Sequence, residues 1–217
     1  MRKLTLAAVL IVAVGSGAGV ALGVMRGHSS SQVPALAAEV LVSPKPFAGY
    51  TLVDQDAQTF DERDFLGKWS FVFFGYTHCP DICPMTLSLL KQVKTALKDD
   101  GESVADLQVV FISVDPARDT PNHLRDYVHY FDQGFVGVTG APDQIHIAET
   151  DVGAVHKFGA KDANGQYEVN HSSYIYLIDP LGRLYARFNG IDEVPHIVER
   201  YLAVRHYYAA GANGGGA

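Results

Sequence analysis

The stretch FVFFGYTHCPDICP, residues 71–84, decides the predicted fold. It begins with four apolar residues in a row, which is typical of a strand buried on both faces of a sheet. A second such run, VVFISV, occupies residues 109–114. Between the runs, apolar residues recur at helical spacing before the helix stop Gly101; they are Met85, Leu89, Val93, Ala96 and Leu97. This order predicts a βαβ unit with parallel strands.

The segments that follow complete a predicted domain. They are a helix starting at Thr120-Pro121, a strand near residues 135–139, a helix near 142–152, two strands at 173–178 and 183–188 joined by a turn, and a last helix starting at Asp192. A βαβ unit, a connecting helix and a final ββα arrangement predict an α/β, thioredoxin-like fold. Its central mixed sheet is flanked by helices, and residues 50–68 are expected to add an N-terminal hairpin.

The N-terminal segment predicts a membrane anchor at residues 1–26. Residues 4–25 carry no charge, and about twenty apolar residues in a helix span the hydrocarbon core of a bilayer. Positive charges before this run favour a cytoplasmic N-terminus. We therefore expect a single-pass protein of the inner (cytoplasmic) membrane with its domain on the periplasmic side. A cleavable signal peptide is the alternative.

The remaining boundaries follow from composition. Residues 27–46 are mostly small and polar with several prolines, which is typical of a flexible tether. The last nine residues, 209–217, are rich in glycine and alanine and predict a disordered tail. The thioredoxin-like domain is therefore expected at residues 47–208.

Charge and cysteine content argue against two classes of protein, nucleic-acid-binding proteins and scaffolds held together by disulfides. The net charge of −7, with no run of lysine and arginine, argues against nucleic acid as a partner, because phosphate binding needs a basic patch. The chain has only two cysteines, Cys79 and Cys83. Cysteines this close in sequence cannot join distant parts of a fold, so they are expected to form a redox-active pair or to hold a metal.

The cysteine loop lies between the first buried strand and the first helix. Pro84 suits the first position of a helix, which makes Cys83 roughly the N-cap and places Cys79 in a turn just before it. Both sulfurs would then lie near the helix N-terminus, where free N–H groups and the helix dipole stabilise thiolates. The alternative is that Cys79 and Cys83 are buried structural residues with no redox or metal-binding role.

The spacing of the cysteines separates two functions. Disulfide oxidoreductases have two residues between their cysteines, whereas this chain has three. The longer loop permits a disulfide, but it also allows both sulfurs to face one ion. Thiolates with imidazole select copper(I) or zinc, so a histidine is the expected third ligand. Peroxide reduction ranks lower, because no serine or threonine lies three residues before either cysteine.

Nine histidines are candidates for that third ligand. Six are interpreted as ordinary, because they lie on the polar sides of predicted helices, in the tether or in the last helix; they are His123, His129, His146, His28, His196 and His206. His78 adjoins Cys79, but neighbouring side chains point apart. His156 follows the third helix and is a further alternative.

His171 is the predicted third ligand. It precedes a strand of the last hairpin, in the loop Asn170-His171-Ser172. In a thioredoxin-like fold that loop packs beside the helix that carries the cysteines. Thioredoxins have a cis-proline at this place, and here a histidine and two serines stand instead.

With these residues identified, the chain resembles the Sco/SenC family of cytochrome c oxidase assembly proteins over about residues 44–205. Three strings carry the resemblance: GYTHCPDICP at 75–84, SVDPARDTP at 113–121 and NHSS at 170–173. The resemblance implies a copper-binding metallochaperone, with Cys79, Cys83 and His171 as ligands of copper(I) or copper(II). It also implies that the cysteines can act as a thiol–disulfide reductase.

The implied partners are the copper-site subunit of cytochrome c oxidase or another copper protein, together with a thioredoxin-like reductant or a copper donor. Asp115 ends the second buried strand at the same sheet edge as the cysteine loop. It is expected either to orient a ligand or a partner, or simply to start a turn with Pro116.

Overall fold

The computed structural model describes residues 40–190 and 192–212. Its strands are β1 Val40–Pro46, β2 Leu52–Asp54, β3 Thr59–Phe60, β4 Trp69–Gly75, β5 Leu107–Ser113, β6 Phe135–Thr139, β7 His156–Phe158, β8 Val169–His171, β9 Tyr174–Ile178 and β10 Arg183–Asn189. Its helices are α1 Ile82–Asp99, α2 Pro121–Phe131, α3 Pro142–Val152 and α4 Val194–Ala212, and a 3₁₀ turn spans Glu62–Phe65.

An eight-stranded mixed sheet has the order β1-β10-β9-β4-β5-β6-β2-β3. Strands β4, β5 and β6 are parallel, and the other pairings in this sheet are antiparallel. Every residue of β4 and β5 is buried, as expected for central strands covered on both faces. The predicted βαβ unit and the thioredoxin-like architecture are confirmed.

The pairing of β4 with β5 brings two loops together. Gly75 and Ser113 are register partners at the carboxyl ends of these parallel strands. The cysteine loop and the loop that starts at Val114 therefore leave the same edge of the sheet, where functional groups of α/β proteins collect.

Helix α1 differs from its predicted form in two ways. It begins at Ile82, so Pro84 occupies the third helical position, still within the first turn where backbone N–H groups have no helical partner. The buried stripe is also different, because Met85 is 51% exposed. The residues that face the core are Cys83, Thr86, Leu87, Leu90, Val93 and Leu97.

The N-terminal part of the domain contains the predicted hairpin and, in addition, a strand where a tether is predicted. Strands β2 and β3 form the expected hairpin, and β2 also pairs with β6. The prediction of a flexible tether is wrong for residues 40–46, because they form β1 and pair with β10. Pro46 is tolerated there because β1 is an edge strand, where a missing N–H breaks no ladder on the open side.

The C-terminal part contains the predicted hairpin of β9 and β10. Asp179 stabilises its turn, because the Asp179 carboxylate accepts hydrogen bonds from the N–H groups of Leu181 and Arg183. Helix α4 starts two residues after Asp192 and continues through Ala212. It therefore includes residues 209–212, which had been assigned to the tail.

Within residues 40–190 and 192–212, no helix combines the length and apolar character that a membrane crossing requires. The predicted anchor at 1–26 lies outside the described residues. The same holds for tether residues 27–39 and tail residues 213–217.

Candidate metal centre

The cysteine loop leaves β4 after Gly75 and enters α1 at Ile82. Asp119, from the neighbouring loop, holds Thr77 of the cysteine loop in place. The N–H of Thr77 donates to Asp119 Oδ2 at 3.0 Å, and the Thr77 hydroxyl donates to Asp119 Oδ1 at 2.6 Å. The conformation of the loop is thus fixed by a buried carboxylate from the loop that follows β5.

His171 lies at the end of β8, which pairs with β7 in a separate two-stranded sheet. The prediction of a loop at this residue was wrong, although the predicted neighbourhood was right. The ring Nε2 of His171 lies 3.4 Å from Cys83 Sγ. The two sulfurs and one ring nitrogen of Cys79, Cys83 and His171 all lie within 4.8 Å of one another.

The backbone fixes the orientation of the His171 ring. The Nδ1–H group donates to the carbonyl oxygen of Ser172 at 3.0 Å, and this carbonyl can only accept. A neutral ring with its proton on Nδ1 has its lone pair on Nε2, the atom that faces the sulfurs. Nε2 is therefore free to bind a metal ion, while Nδ1–H donates to a backbone carbonyl, as the second ring nitrogen of metal-binding histidines commonly does.

The two sulfurs have very different environments. Cys83 is 1% exposed, whereas Cys79 is 9% exposed at the rim. A hydrogen bond from the Cys83 side chain lowers the pKa of Cys79 to about 3. The same contact, together with burial, raises the pKa of Cys83 far above its ordinary value. The pair therefore keeps one proton, on Cys83, and presents a thiolate at Cys79.

Alkylation of the reduced, metal-free chain is expected to show this shared proton. An ordinary thiol has a pKa of about 8.5, and its alkylation slows about tenfold for each pH unit below that pKa. Because its pKa is lowered to about 3, Cys79 should be largely a thiolate between pH 5 and pH 8, and its alkylation rate should change little over this range. Peptide mass spectrometry of timed samples measures the rate at each cysteine. A tenfold fall per pH unit at Cys79 would contradict the assignment.

Gly75 makes room for the Cys83 sulfur. A Cβ atom at Gly75 would lie 2.5 Å from Cys83 Sγ and 2.7 Å from Cε2 of Phe111. Real Cβ atoms do not approach neighbours so closely, so any side chain at this position forces the sulfur to move. The glycine is required by the close packing of strand β4 against the first turn of α1.

Gly75→Ala is therefore expected to weaken copper(I) binding by about 10-fold to 100-fold, the usual effect of disturbing a metal ligand from outside its coordination shell. Competition with a chromophoric copper(I) chelator measures the affinity. Gly134→Ala is the matched control, because its Cβ would meet only the ends of the Lys94 and Asp132 side chains, at 3.1 and 3.2 Å. Equal affinity of the two variants would show that the contact at Gly75 does not position Cys83.

Asp115 does not contact the three residues directly. Its buried carboxylate pairs with Arg118 Nε and accepts a hydrogen bond from the Tyr167 hydroxyl at 2.9 Å. Its backbone carbonyl accepts from the N–H groups of Arg118 and Asp119, so it also forms the expected turn. The Arg118 guanidinium lies over the rings of Tyr167 and Tyr76, at 3.7 and 5.4 Å. Asp115 thus acts on the neighbourhood of the site indirectly, through Arg118, Tyr167 and the backbone of Asp119.

The other histidines that had been considered as ligands lie elsewhere. His156 is the register partner of His171, but its Nδ1 lies 2.8 Å from both carboxylate oxygens of the buried Glu149. His78 lies beside Asp119 and His123. From its sequence pattern, His123 is interpreted as an ordinary histidine.

Asp119 is the residue that the sequence argument missed. It holds the cysteine loop, whereas Asp115 had been singled out in the same string. Both aspartates follow the buried strand β5, and the only available signal was this position at the sheet edge. Which of the two reaches the cysteine loop depends on the turn at residues 115–118, which sequence spacing alone does not define.

The donor set suits a soft or borderline ion. Two thiol sulfurs and one imidazole nitrogen are ligands that select copper(I) or zinc. The pocket is lined on one side by the Tyr76 ring, whose centroid is 5.9 Å from that of His171. With one sulfur buried and the other at the rim, an ion bound here would be shielded on one side and reachable from the other.

Residues 43–205 match the sequence profile of the SCO1/SenC family. The mitochondrial SCO2 homolog of Danio rerio is 39% identical over 150 residues, which are 69% of this chain and 53% of that protein. The chain therefore spans about half the length of that relative. The profile match includes all three residues of the candidate site.

Two solved structures are similar to this one. The crystal structure of Arabidopsis thaliana ScoI with copper bound has a TM-score of 0.69 at 30% identity, over 75% of this chain and 99% of that chain. The crystal structure of yeast Sco1 with copper bound has a TM-score of 0.62 at 34% identity, over 72% and 88% of the two chains. The chain belongs to the SCO1/SenC family.

Proposed function

We propose that this member of the SCO1/SenC family binds copper through Cys79, Cys83 and His171 and serves the assembly of cytochrome c oxidase. It delivers copper to the binuclear copper site of an oxidase subunit or keeps the cysteines of that site reduced. The observation that carries this proposal is the convergence of two sulfurs and one oriented ring nitrogen within 4.8 Å. The copper-bound relatives from Arabidopsis and yeast support the choice of copper over zinc.

The asymmetry of the pair supports a transfer role. Copper would be the cargo, and Cys79, at 9% exposure the more accessible of the two cysteines, is the ligand that a partner's thiolate reaches first. Ligand exchange at that sulfur would leave Cys83 and His171 to hold the ion until the partner has taken over. Because only reduced cysteines bind metal, loading is coupled to the redox state of the pair.

The proposed location is a membrane, with the folded domain on the periplasmic side or in an equivalent compartment. The uncharged residues 4–25 support it, since they are long enough for one crossing. A tether at residues 27–39 would then let the domain reach a membrane-bound oxidase subunit. A thioredoxin-like reductant or a copper donor would restore the reduced or loaded state.

Thiol–disulfide exchange without copper transfer is the second candidate. The thiolate at Cys79 favours it, because the lowered pKa of this residue provides a nucleophile at neutral pH and Cys83 lies beside it to resolve a mixed disulfide. Electrons balance if the two thiols of this chain form a disulfide while one disulfide of the partner becomes two thiols.

One experiment with two arms separates the candidates. In the first arm, the full chain, loaded with one equivalent of copper(I), is mixed with the reduced, metal-free copper-site domain of an oxidase subunit, and copper is measured in each protein after separation. In the second, the reduced, metal-free chain meets the same domain with its cysteines oxidised, and thiols are counted. Copper transfer that is lost in Cys79→Ser supports delivery. Thiol formation without copper transfer supports the reductase. If neither copper transfer nor thiol formation is observed, both proposals are overturned.

A further inference from the structure

A second group of ligand-type side chains lies beside the cysteine loop. One ring nitrogen each from His78 and His123 and a carboxylate oxygen of Asp119 lie within 4.8 Å of one another. The three residues come from the cysteine loop, the first turn of α2 and the loop after β5. Only the folded chain brings them together.

The three groups converge on the hydroxyl of Thr77. From Thr77 Oγ1, the distances are 2.6 Å to Asp119 Oδ1, 2.9 Å to His123 Nε2 and 3.1 Å to His78 Nδ1. His78 Nδ1 and Asp119 Oδ1 are 3.8 Å apart. An ion about 2.0–2.2 Å from each ligand atom fits such a separation, and small rotations of the exposed histidine rings bring the third atom into range.

The charge of Asp119 is the second observation that points to a cation. The carboxylate is fully buried, and its hydrogen-bond donors are neutral: the N–H and hydroxyl of Thr77 and the hydroxyl of Ser113. Among residues 40–190 and 192–212, the basic side chain recorded within ion-pair distance of Asp119 is His78. Asp115, by contrast, pairs with Arg118. Buried carboxylates are normally paired with a cation or bound to a metal.

We propose that His78, His123 and Asp119 form a second metal site, which takes a divalent transition-metal ion and binds Cu²⁺ most tightly. Two imidazole nitrogens and one carboxylate oxygen are harder ligands than thiolates, so they favour divalent copper, nickel or zinc over copper(I). Cu²⁺ leads the usual order of affinity among these ions. The Thr77 hydroxyl rotates aside or adds a fourth ligand. Both histidines are exposed, so the ion reaches the site from solvent.

This site can be tested without the proposed copper site, because it contains no sulfur. The full chain carrying Cys79→Ser, Cys83→Ser and His171→Ala removes the first site and prevents oxidation of thiols by Cu²⁺. We expect this variant to retain one equivalent of Cu²⁺ in equilibrium dialysis. Its electron paramagnetic resonance spectrum should show nitrogen ligands, and no sulfur-to-copper absorption band should be present.

Two further changes in that background test the assignment. Adding His123→Ala should weaken Cu²⁺ binding by more than about tenfold, since even changes outside the coordination shell commonly have that effect. Adding His146→Ala, which removes an exposed histidine of α3, should leave binding unchanged. Thermal melting confirms that each variant is folded. Loss of all Cu²⁺ binding in the starting variant, or equal affinity of the two added variants, would overturn the second site.

Discussion

Replacing His171 with alanine is expected to weaken copper binding by at least about 100-fold, or about 2.7 kcal/mol. The change removes the only nitrogen that faces Cys79 and Cys83 within the described site. The ion would then keep two sulfur ligands, one buried at Cys83 and one at the rim at Cys79, and would lack its nitrogen ligand. With copper(II), the variant should also lose most of its sulfur-to-copper absorption. Titration of the reduced chain against a competing chelator measures the affinity.

Two controls separate loss of a ligand from loss of structure. His146→Ala removes an exposed histidine far from the cysteine loop in sequence, and it should bind copper as the parent does. Added imidazole should partly restore binding to His171→Ala, because the free base can occupy the space left by the ring. Unchanged affinity in His171→Ala would remove this residue from the site.

Replacing Gly190 with alanine is expected to lower the free energy of unfolding by about 3 kcal/mol or more. A Cβ atom at Gly190 would lie only 2.0 Å from the carbonyl oxygen of Ser173. This neighbour is backbone just before β9, so a side-chain rotation gives no relief. Ser173 is two residues from His171, and the movement should therefore also disturb the metal centre. Urea unfolding followed by circular dichroism measures the loss.

Gly211→Ala is the matched control for that change. Gly211 lies in α4, and a Cβ atom there would have no neighbour within 4 Å. Alanine is the better helix former by about 1 kcal/mol, so the control should be neutral or slightly stabilising. If Gly190→Ala is as stable as this control, the close approach of residues 190 and 173 does not constrain the fold.

The central strands were predictable from the sequence because burial on both faces produces continuous apolar runs. The buried face of α1 was not predictable, because two apolar faces have the same helical spacing. One contains Met85, Leu89 and Val93, and the other contains Leu87, Leu90 and Val93. The choice is made by Cys83, which packs beneath Gly75 and turns Met85 to solvent. Strand β1 was missed because Pro44 and Pro46 are typical of a linker, and pairing with β10 makes the segment a strand.

At the candidate metal centre, the convergence of the two cysteines and His171 could be predicted, because the cysteine spacing and the place of His171 beside the last hairpin are local features. The strand that carries His171 was not, since β7 and β8 have three residues each and leave no periodic pattern. The role of Asp119 and the position of His123 were also missed. Both depend on contacts between residues more than forty positions apart, which no local pattern encodes.

X-ray absorption at the copper edge is the most direct test of the central claim that Cys79, Cys83 and His171 form one copper site. The sample is the reduced full chain with one equivalent of copper(I), prepared without oxygen. We expect two sulfur ligands at about 2.3 Å and one nitrogen ligand at about 2.0 Å, by analogy with the distances of zinc sites. His171→Ala should lose the nitrogen. Two sulfurs without nitrogen in the parent chain, or a spectrum that the substitution leaves unchanged, would contradict the claim.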